Sequence, residues 1–380
     1  MTWGSTRSNR LSGALTARVA AHTALDMATF SWKSPGVTKK TSEGADVTAR
    51  PTMHDVAAHA RVGLSTVSRV VSGKAGVSLA KRNAVERAIA ELGYSRNDFA
   101  HTLRTGSART IGVVVTRISD PFYSQLIGAI ESRAQERDLL VLVASSGDDA
   151  AESERVLKRM LSRRLDGLIV VAHEESDVAF LAAEPAAGTP IVFVDRPPVG
   201  LHSDVVIVDN ERGAADAVRQ LVRAGHRSIA CIAHTVGRYT SEQRQIGFRA
   251  GVRQAGLPDR AELIVEVEDE IDACVEALRE LFSLPDPPTA LFTTNSRTTK
   301  AVLGAMRLMG VHPALIGFDD FELADLMTPP VTTIAQDPWA SGEAAAELLF
   351  ERIAGRGGPE RRVVLGTRLI TRGSGELPPA

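Results

Sequence analysis

The sequence is poor in cysteine, in aromatic side chains and in long apolar runs, and each shortage removes a class of protein. Two cysteines, Cys231 and Cys274, in 380 residues support neither a disulfide scaffold nor a cysteine-rich zinc site, and they fit a reducing compartment. The apolar stretches are strand-sized and end in polar residues or Gly. None approaches the roughly 18 residues that a membrane-spanning helix needs. The most apolar N-terminal segment, Leu15 to Leu25, is broken by Arg18 and His22 and lacks the apolar centre of an export signal. The expectation is a cytoplasmic protein with no membrane partner. Catalytic signatures are missing as well: no G-x-S-x-G, no Walker A loop, no G-x-G-x-x-G after a strand, and neither Cys lies in a Cys/His motif. His54 and His59 are five apart and so do not share the helix face that a metal pair uses. No enzyme, metal site or cofactor is expected.

What is present is an ordinary globular composition, 44% hydrophobic and 24% charged, in a length that suggests two or three domains at about 150 residues each. Lysine is scarce, 7 Lys against 37 Arg, which with abundant Ala hints at a GC-rich bacterial genome. The net charge of −2 hides an asymmetry: residues 1–50 and 51–105 each carry +4, and residues 106–380 carry −10. A basic head on an acidic body is the footprint of a phosphate-binding module, although a basic patch without a partner would give the same count. Residues 1–50 are rich in Ser, Thr, Gly and Ala with little periodicity, and read as a disordered tail or as sequence upstream of a later translation start.

The head, residues 51–96, has three helical patterns. Thr52-Met-His-Asp55 is a capping box before Val56, Ala57 and Ala60, and Arg61-Val62-Gly63 ends that helix. From Leu64, a second helix turns Val67, Val70 and Val71 inward and Ser65, Ser68 and Arg69 outward. Ser78 starts a third, with Val85, Ile89 and Leu92 at helical spacing and Gly93 as its stop. Two helices joined by a tight turn form a helix-turn-helix, which places the start of its second helix in the DNA major groove; a helical hairpin for protein contacts is the alternative. In the DNA-binding reading, Leu64, Ser65 and Arg69 reach base edges, while Thr66 and Ser68 suit phosphates and Thr52 joins the contacting set.

The string Thr52-Met-His-Asp-Val-Ala-Ala-His-Ala-Arg-Val-Gly-Leu-Ser-Thr-Val-Ser-Arg-Val-Val-Ser72, followed by Ala90-Glu-Leu-Gly-Tyr94 and Asn97, closely resembles the headpiece of the lactose/galactose repressor (LacI-type) family of bacterial transcription regulators. The resemblance runs on to Arg372. It implies that residues 97–109 form a hinge helix and linker in the minor groove at the centre of an operator, with Asn97 as N-cap, Leu103 as the wedge between base pairs and Ala100 beside it. Such a short helix is marginal alone and would fold only with DNA and a second subunit. Three residues depart from the pattern: Arg61 at a turn position where the family often has Gly, Gly63 for the usual Ser cap, and Arg96 for a frequent Pro.

In residues 110–380, strand-like runs alternate with helical patterns: Ile111–Val115, Leu139–Ala144, Leu168–Val171, Ile191–Val194, Ile229–Ala233, Ile264–Val267, Leu291–Thr293 and Ala314–Phe318. Eight strands in two sets of four predict an α/β body of two lobes with parallel sheets flanked by helices, as in periplasmic binding proteins. The expected first lobe is about 110–208 plus 338–365, and the second about 209–337 plus 366–380. Ligands of such sheets bind beyond the strands' carboxyl ends. Asp120, Phe122, Arg196, Arg244, Asn295 and Asp319 lie there, a donor and acceptor set with one apolar face that suits a sugar or nucleoside. Each also has a plain structural reading: Asp120 as an N-cap, Asp195-Arg196 as a local ion pair, and Asp319-Asp320 as caps of a following helix. The family resemblance favours the ligand reading, although Ser296 replaces a frequent Asp.

The combined expectation is a homodimeric DNA-binding repressor with a near-palindromic double-stranded operator and a small-molecule effector between its lobes. No leucine heptad follows Arg372, so the tetramer-forming coiled coil of some relatives is not expected. Rival readings are the same regulator controlled by a partner protein, and a solute-binding protein, which would have no use for the headpiece.

Overall fold

A computed structural model describes residues 51–72, 74–94, 108–173, 176, 178–234 and 239–379. The expected tail over residues 1–50 and the hinge residues Asn97, Ala100 and Leu103 lie outside the described residues. The chain divides into two units, Met1–Arg96 and Asn97–Ala380.

The head holds α1 (Met53–His59), α2 (Leu64–Val71) and α3 (Leu79–Leu92). Thr52 Oγ1 accepts from Asp55 N at 3.4 Å while Asp55 Oδ2 accepts from Thr52 N at 2.7 Å, so the capping box is reciprocal. Val56, Val67, Val85, Ala88 and Tyr94 form the small core, and Gly93 closes α3 at φ 63°, a left-handed conformation that glycine adopts without strain. His59 Nε2 meets Glu91 Oε2 at 2.7 Å, tying α1 to α3. Two departures from the family pattern are visible. Arg61 sits at φ 54°, and Gly63 caps α2 with no side-chain hydrogen bond. A non-glycine residue in the left-handed region costs about 1 kcal/mol. Arg61→Gly should therefore raise the midpoint of the head's unfolding transition in scanning calorimetry of the full chain; a lowered midpoint would contradict the strain.

The body contains twelve strands in two sets of six, not eight in two sets of four. The first sheet runs in the order β2-β1-β3-β4-β5-β11, from β1 (Thr110–Val115), β2 (Leu140–Ser145), β3 (Gly167–Val170), β4 (Ile191–Val194), β5 (Asp204–Val208) and β11 (Arg362–Leu365). The second repeats that order as β7-β6-β8-β9-β10-β12, from β6 (Ile229–His234), β7 (Ile264–Val267), β8 (Ala290–Thr293), β9 (Ala314–Phe318), β10 (Thr332–Ala335) and β12 (Arg368–Ile370). All pairings are parallel except β10 with β12. Central strands such as β3, β4 and β8 are buried along their whole length, as parallel strands covered on both faces must be.

Helices α4 (Pro121–Gln135), α5 (Ala150–Leu161) and α10 (Pro338–Ile353) cover the first sheet, and α6 (Asn210–Arg223), α7 (Tyr239–Gln254), α8 (Ile271–Phe282) and α9 (Ser296–Met309) the second. The chain passes between lobes three times: from β5 to α6, from β10 to α10, and from β11 to β12. Beside these passages Asp204, at the start of β5, accepts from Arg352 Nε at 2.9 Å and Nη2 at 2.8 Å and from Arg361 N at 2.8 Å. In the second lobe, His226 is fully buried, with Nδ1 2.8 Å from Thr289 Oγ1 and Nε2 2.8 Å from Leu377 O. Burial holds its pKa below the ordinary histidine value. The unfolded chain therefore takes up the proton more readily, so stability present above the unfolded pKa should fall as pH drops below about 6.5. The slope of melting temperature between pH 7 and 5 should be reduced in His226→Gln; an unchanged slope would remove His226 as its source.

Candidate functional site

At the head, the start of α2 presents its polar side chains outward. Leu64 is 40% exposed, Ser65 and Arg69 are exposed, Thr66 and Ser68 are half-buried, and Val67 and Val70 fill the core. The helical period separates these faces: the β-branched positions 67 and 70 turn inward, and 65 and 69 share the opposite side. Thr52 stands at the N-terminus of α1.

In the body, the residues following the parallel strands of both sheets converge on one cleft of about 710 Å³, within the range of small-molecule sites. All six residues proposed from sequence line it: Asp120, Phe122, Arg196, Arg244, Asn295 and Asp319. Arg244 is the centre. A Cβ on Gly247, one turn along α7, would lie 2.1 Å from Glu211 O, so glycine there lets α7 approach α6 closely. That approach brings Arg244 Nε 2.8 Å from Asn210 Oδ1; its Nη1 donates to Thr294 O at 2.5 Å and to Asp319 Oδ2 at 3.1 Å, and its guanidinium lies 3.8 Å from the Phe318 ring centre. The side chain is 3% exposed and preorganised, with one edge of its donor fork toward the cleft.

Two carboxylates occupy matching places. Asp195 follows β4 at φ 70° and Asp319 follows β9 at φ 68°; the amide of each bonds the neighbouring strand, at Val206 O and Ile334 O, both at 2.9 Å. Left-handed backbone at non-glycine residues is strained, and here it recurs at two cleft acids. Asp195 Oδ2 accepts from Tyr123 Oη at 3.0 Å and faces Arg196 Nε at 3.4 Å. Burial raises the Asp195 pKa against the pull of Arg196 and Arg244, and it raises that of Tyr123 as well.

The structural readings hold beside the ligand reading for three positions. Asp120 caps α4, accepting from Phe122 N at 3.0 Å. Asn295 caps α9 through Oδ1, which leaves its amino group to address a ligand. Asp195 and Arg196 do form a local pair. No helix follows Asp319-Asp320, however: residues 321–327 form turns, and Asp320 instead holds Arg372 through two contacts of 2.7 Å.

Sequence reasoning missed several lining residues. His234 ends β6 with Nδ1 3.2 Å from Asp269 Oδ1, and Arg297 Nε lies 3.2 Å from Asp269 Oδ2. Burial pushes the Asp269 pKa up, yet hydrogen bonds from His234 and Thr298, with Arg297 nearby, hold it below the ordinary value. Gln336, after β10, donates Nε2 to Asp319 Oδ1, and its buried Oε1 has no partner among the described residues. The signal was available for Asp269, which follows a strand read correctly, and hidden for Gln336, whose strand was not read. Among the described residues no helix is long and apolar enough to cross a membrane.

Residues 52–97 match the family described as bacterial regulatory proteins, lacI family, and residues 218–375 match the periplasmic binding protein-like domain. The ribose operon repressor of Escherichia coli K12 is 34% identical over 329 residues, spanning 85% of this chain and 99% of that protein. The chain belongs to the LacI family. The purine repressor PurR of Aliivibrio salmonicida is 28% identical over 85% of this chain and 98% of its own length. Among solved structures, a complex of the transcriptional regulator CelR with cellobiose superposes with a TM-score of 0.64 at 32% identity, covering 86% of this chain and all of the other. The lac repressor dimer bound to operator and the anti-inducer ONPF gives 0.76 at 25% identity, covering 86% and 99%. As a LacI-family member the chain is a DNA-binding transcriptional regulator, not an enzyme. The combination of an all-α headpiece with a two-lobed α/β body is that of the lac repressor.

Proposed function

We propose that this regulator represses transcription as a homodimer on a near-palindromic operator, and that a sugar-like effector, free or as part of a nucleoside, sets its affinity from the interlobe cleft. The observation that carries the effector reading is buried Arg244, fixed by Asn210 and Asp319 and facing acids from the other lobe. Forked donors and paired acceptors around Phe122 suit adjacent ring hydroxyls with one apolar face. The relatives named for ribose and for cellobiose support the same class.

At the operator, Leu64, Ser65 and Arg69 address base edges, and Thr52, Thr66 and Ser68 address phosphates. Asn97, Ala100 and Leu103 act in the minor groove, with Leu103 as the wedge. The exposed apolar residues Leu140 and Leu142, on one face of edge strand β2, and Leu326 and Met327 in the second lobe are surface that a second copy would cover, which supports the dimer.

The test is anisotropy titration of a duplex from the protein's own locus, with sugars and nucleosides added. Two chains per duplex and a sugar-dependent shift are expected, and failure to bind any such fragment across salt concentrations would overturn the proposal. Arg69→Ala should weaken operator binding by about 1–3 kcal/mol while leaving effector affinity unchanged. Unaltered operator affinity would remove Arg69 from the base-reading set.

A further inference from the structure

The effector cleft has a second compartment. Beyond the inner one, a cavity of about 1370 Å³ shares Asp120, Phe122, Ser296, Asp319 and Gln336 as its wall and extends between α4 and the turns after β9. The two differ in chemistry. The inner compartment is walled by ionised groups of both lobes, whereas the outer one is walled by Phe321, Leu323, Pro338 and Ile370, with Lys300 and Arg368 at its edge. The outer wall is held in place. Asp320 is fixed by Arg372, Ala324 is fully buried and its carbonyl accepts from Val331 N at 2.7 Å, and Ala324 N donates to Phe321 O at 3.2 Å. Phe321 is thus a half-buried ring on a preorganised turn, with Lys300 Nζ 5.9 Å from its centre. Lys300 and Arg368 form no ion pair among the described residues, so their donors are available to a ligand. Gln336 stands at the border of both compartments with its buried Oε1 unpartnered, an acceptor that costs free energy until a donor reaches it.

We propose that the effector is a two-ring glycoside. Its sugar ring fills the inner compartment, its second ring lies in the outer one against Phe321, and a hydroxyl near the linkage donates to Gln336 Oε1. A single sugar ring would satisfy the charged wall and leave the apolar one wet. The inference rests on the sugar-binding reading of the cleft and goes further by specifying a second ring.

Titration calorimetry of the full chain with D-ribose, D-glucose, cellobiose, maltose, adenosine and inosine tests it. At least one two-ring compound should bind tenfold or more tightly than its own free monosaccharide, and disaccharide against nucleoside identifies the second ring. Phe321→Ala should weaken that compound about tenfold and the monosaccharide less than twofold. Gln125→Trp, which crowds the outer compartment from an exposed position on α4, should give the same selective loss without touching the inner wall. Monosaccharides binding as tightly as glycosides, or both variants weakening the two kinds of ligand equally, would overturn the second ring while leaving the sugar reading intact. Binding of none of these compounds would overturn both.

Discussion

Asp319→Ala is expected to abolish the response to effector while leaving operator binding in place. The Asp319 carboxylate neutralises Arg244 through Oδ2 and takes the Gln336 amide through Oδ1, so the substitution removes one ligand contact and disorders two others. Truncating one member of a desolvated charged pair costs about 2–5 kcal/mol of binding, at least roughly thirtyfold in affinity. The backbone adds a second effect, because φ at this residue is 68° and Ala tolerates that region less well than Asp or Asn. Asp319→Asn separates the two: it keeps the turn and removes only the charge, so it should melt like wild type and still bind effector weakly. Calorimetric titration with a sugar that binds the wild type decides the matter, and wild-type affinity in Asp319→Ala would remove the residue from the site.

Arg352→Ala should produce the largest loss of stability. The Asp204 carboxylate is 1% exposed and receives three hydrogen bonds from Arg352 and the Arg361 amide; Arg352 also donates to Gly358 O at 2.8 Å and Pro359 O at 3.0 Å. Removing one partner leaves a buried charge poorly compensated, at a cost of about 3–5 kcal/mol, or roughly 10 °C in melting temperature for lobes of this size. The pH dependence provides a check. Burial pushes the Asp204 pKa up, but the hydrogen bonds and charges of Arg352 and Arg361 hold it below the ordinary value in the folded state. Its contribution is therefore present above the unfolded pKa near 4 and lost as pH falls through the lower folded value. The gap between wild type and Arg352→Ala should narrow as pH drops from 7 toward that range. A gap under about 1 kcal/mol at pH 7 would show that the pair does little for the fold.

The head was legible in sequence almost residue by residue, because caps, turns and helical periodicity are local signals: Thr52, Ser78 and Gly93 begin and end helices where their chemistry requires. The eight apolar runs were legible as strands for the same reason. The four missed strands share a different cause. β5 begins with Asp204, whose charge is tolerated only because Arg352 lies on a helix far along the chain. In β10, Thr332 and Thr333 are buried, with hydroxyls satisfied by Glu376, Asp320 and the Arg372 segment, and no local window contains those partners. β11 and β12 are short edge strands whose pairing depends on the lobes already being formed. The cleft followed the same division. Residues placed beyond readable strands were found, Gln336 was lost with its strand, and the contacts of Tyr123 with Asp195 across 72 positions had no local trace.

The three passages between lobes have a mechanical consequence. They contain one, two and two residues outside regular elements, and the first and third are adjacent, with Asp209 N donating to Leu365 O at 2.9 Å. Short pivots set side by side permit one easy swing and resist torsion and sliding. Any occupant, whatever its shape, is converted into displacement along that single coordinate. The recognition chemistry of the pocket can therefore diversify without rewiring the output.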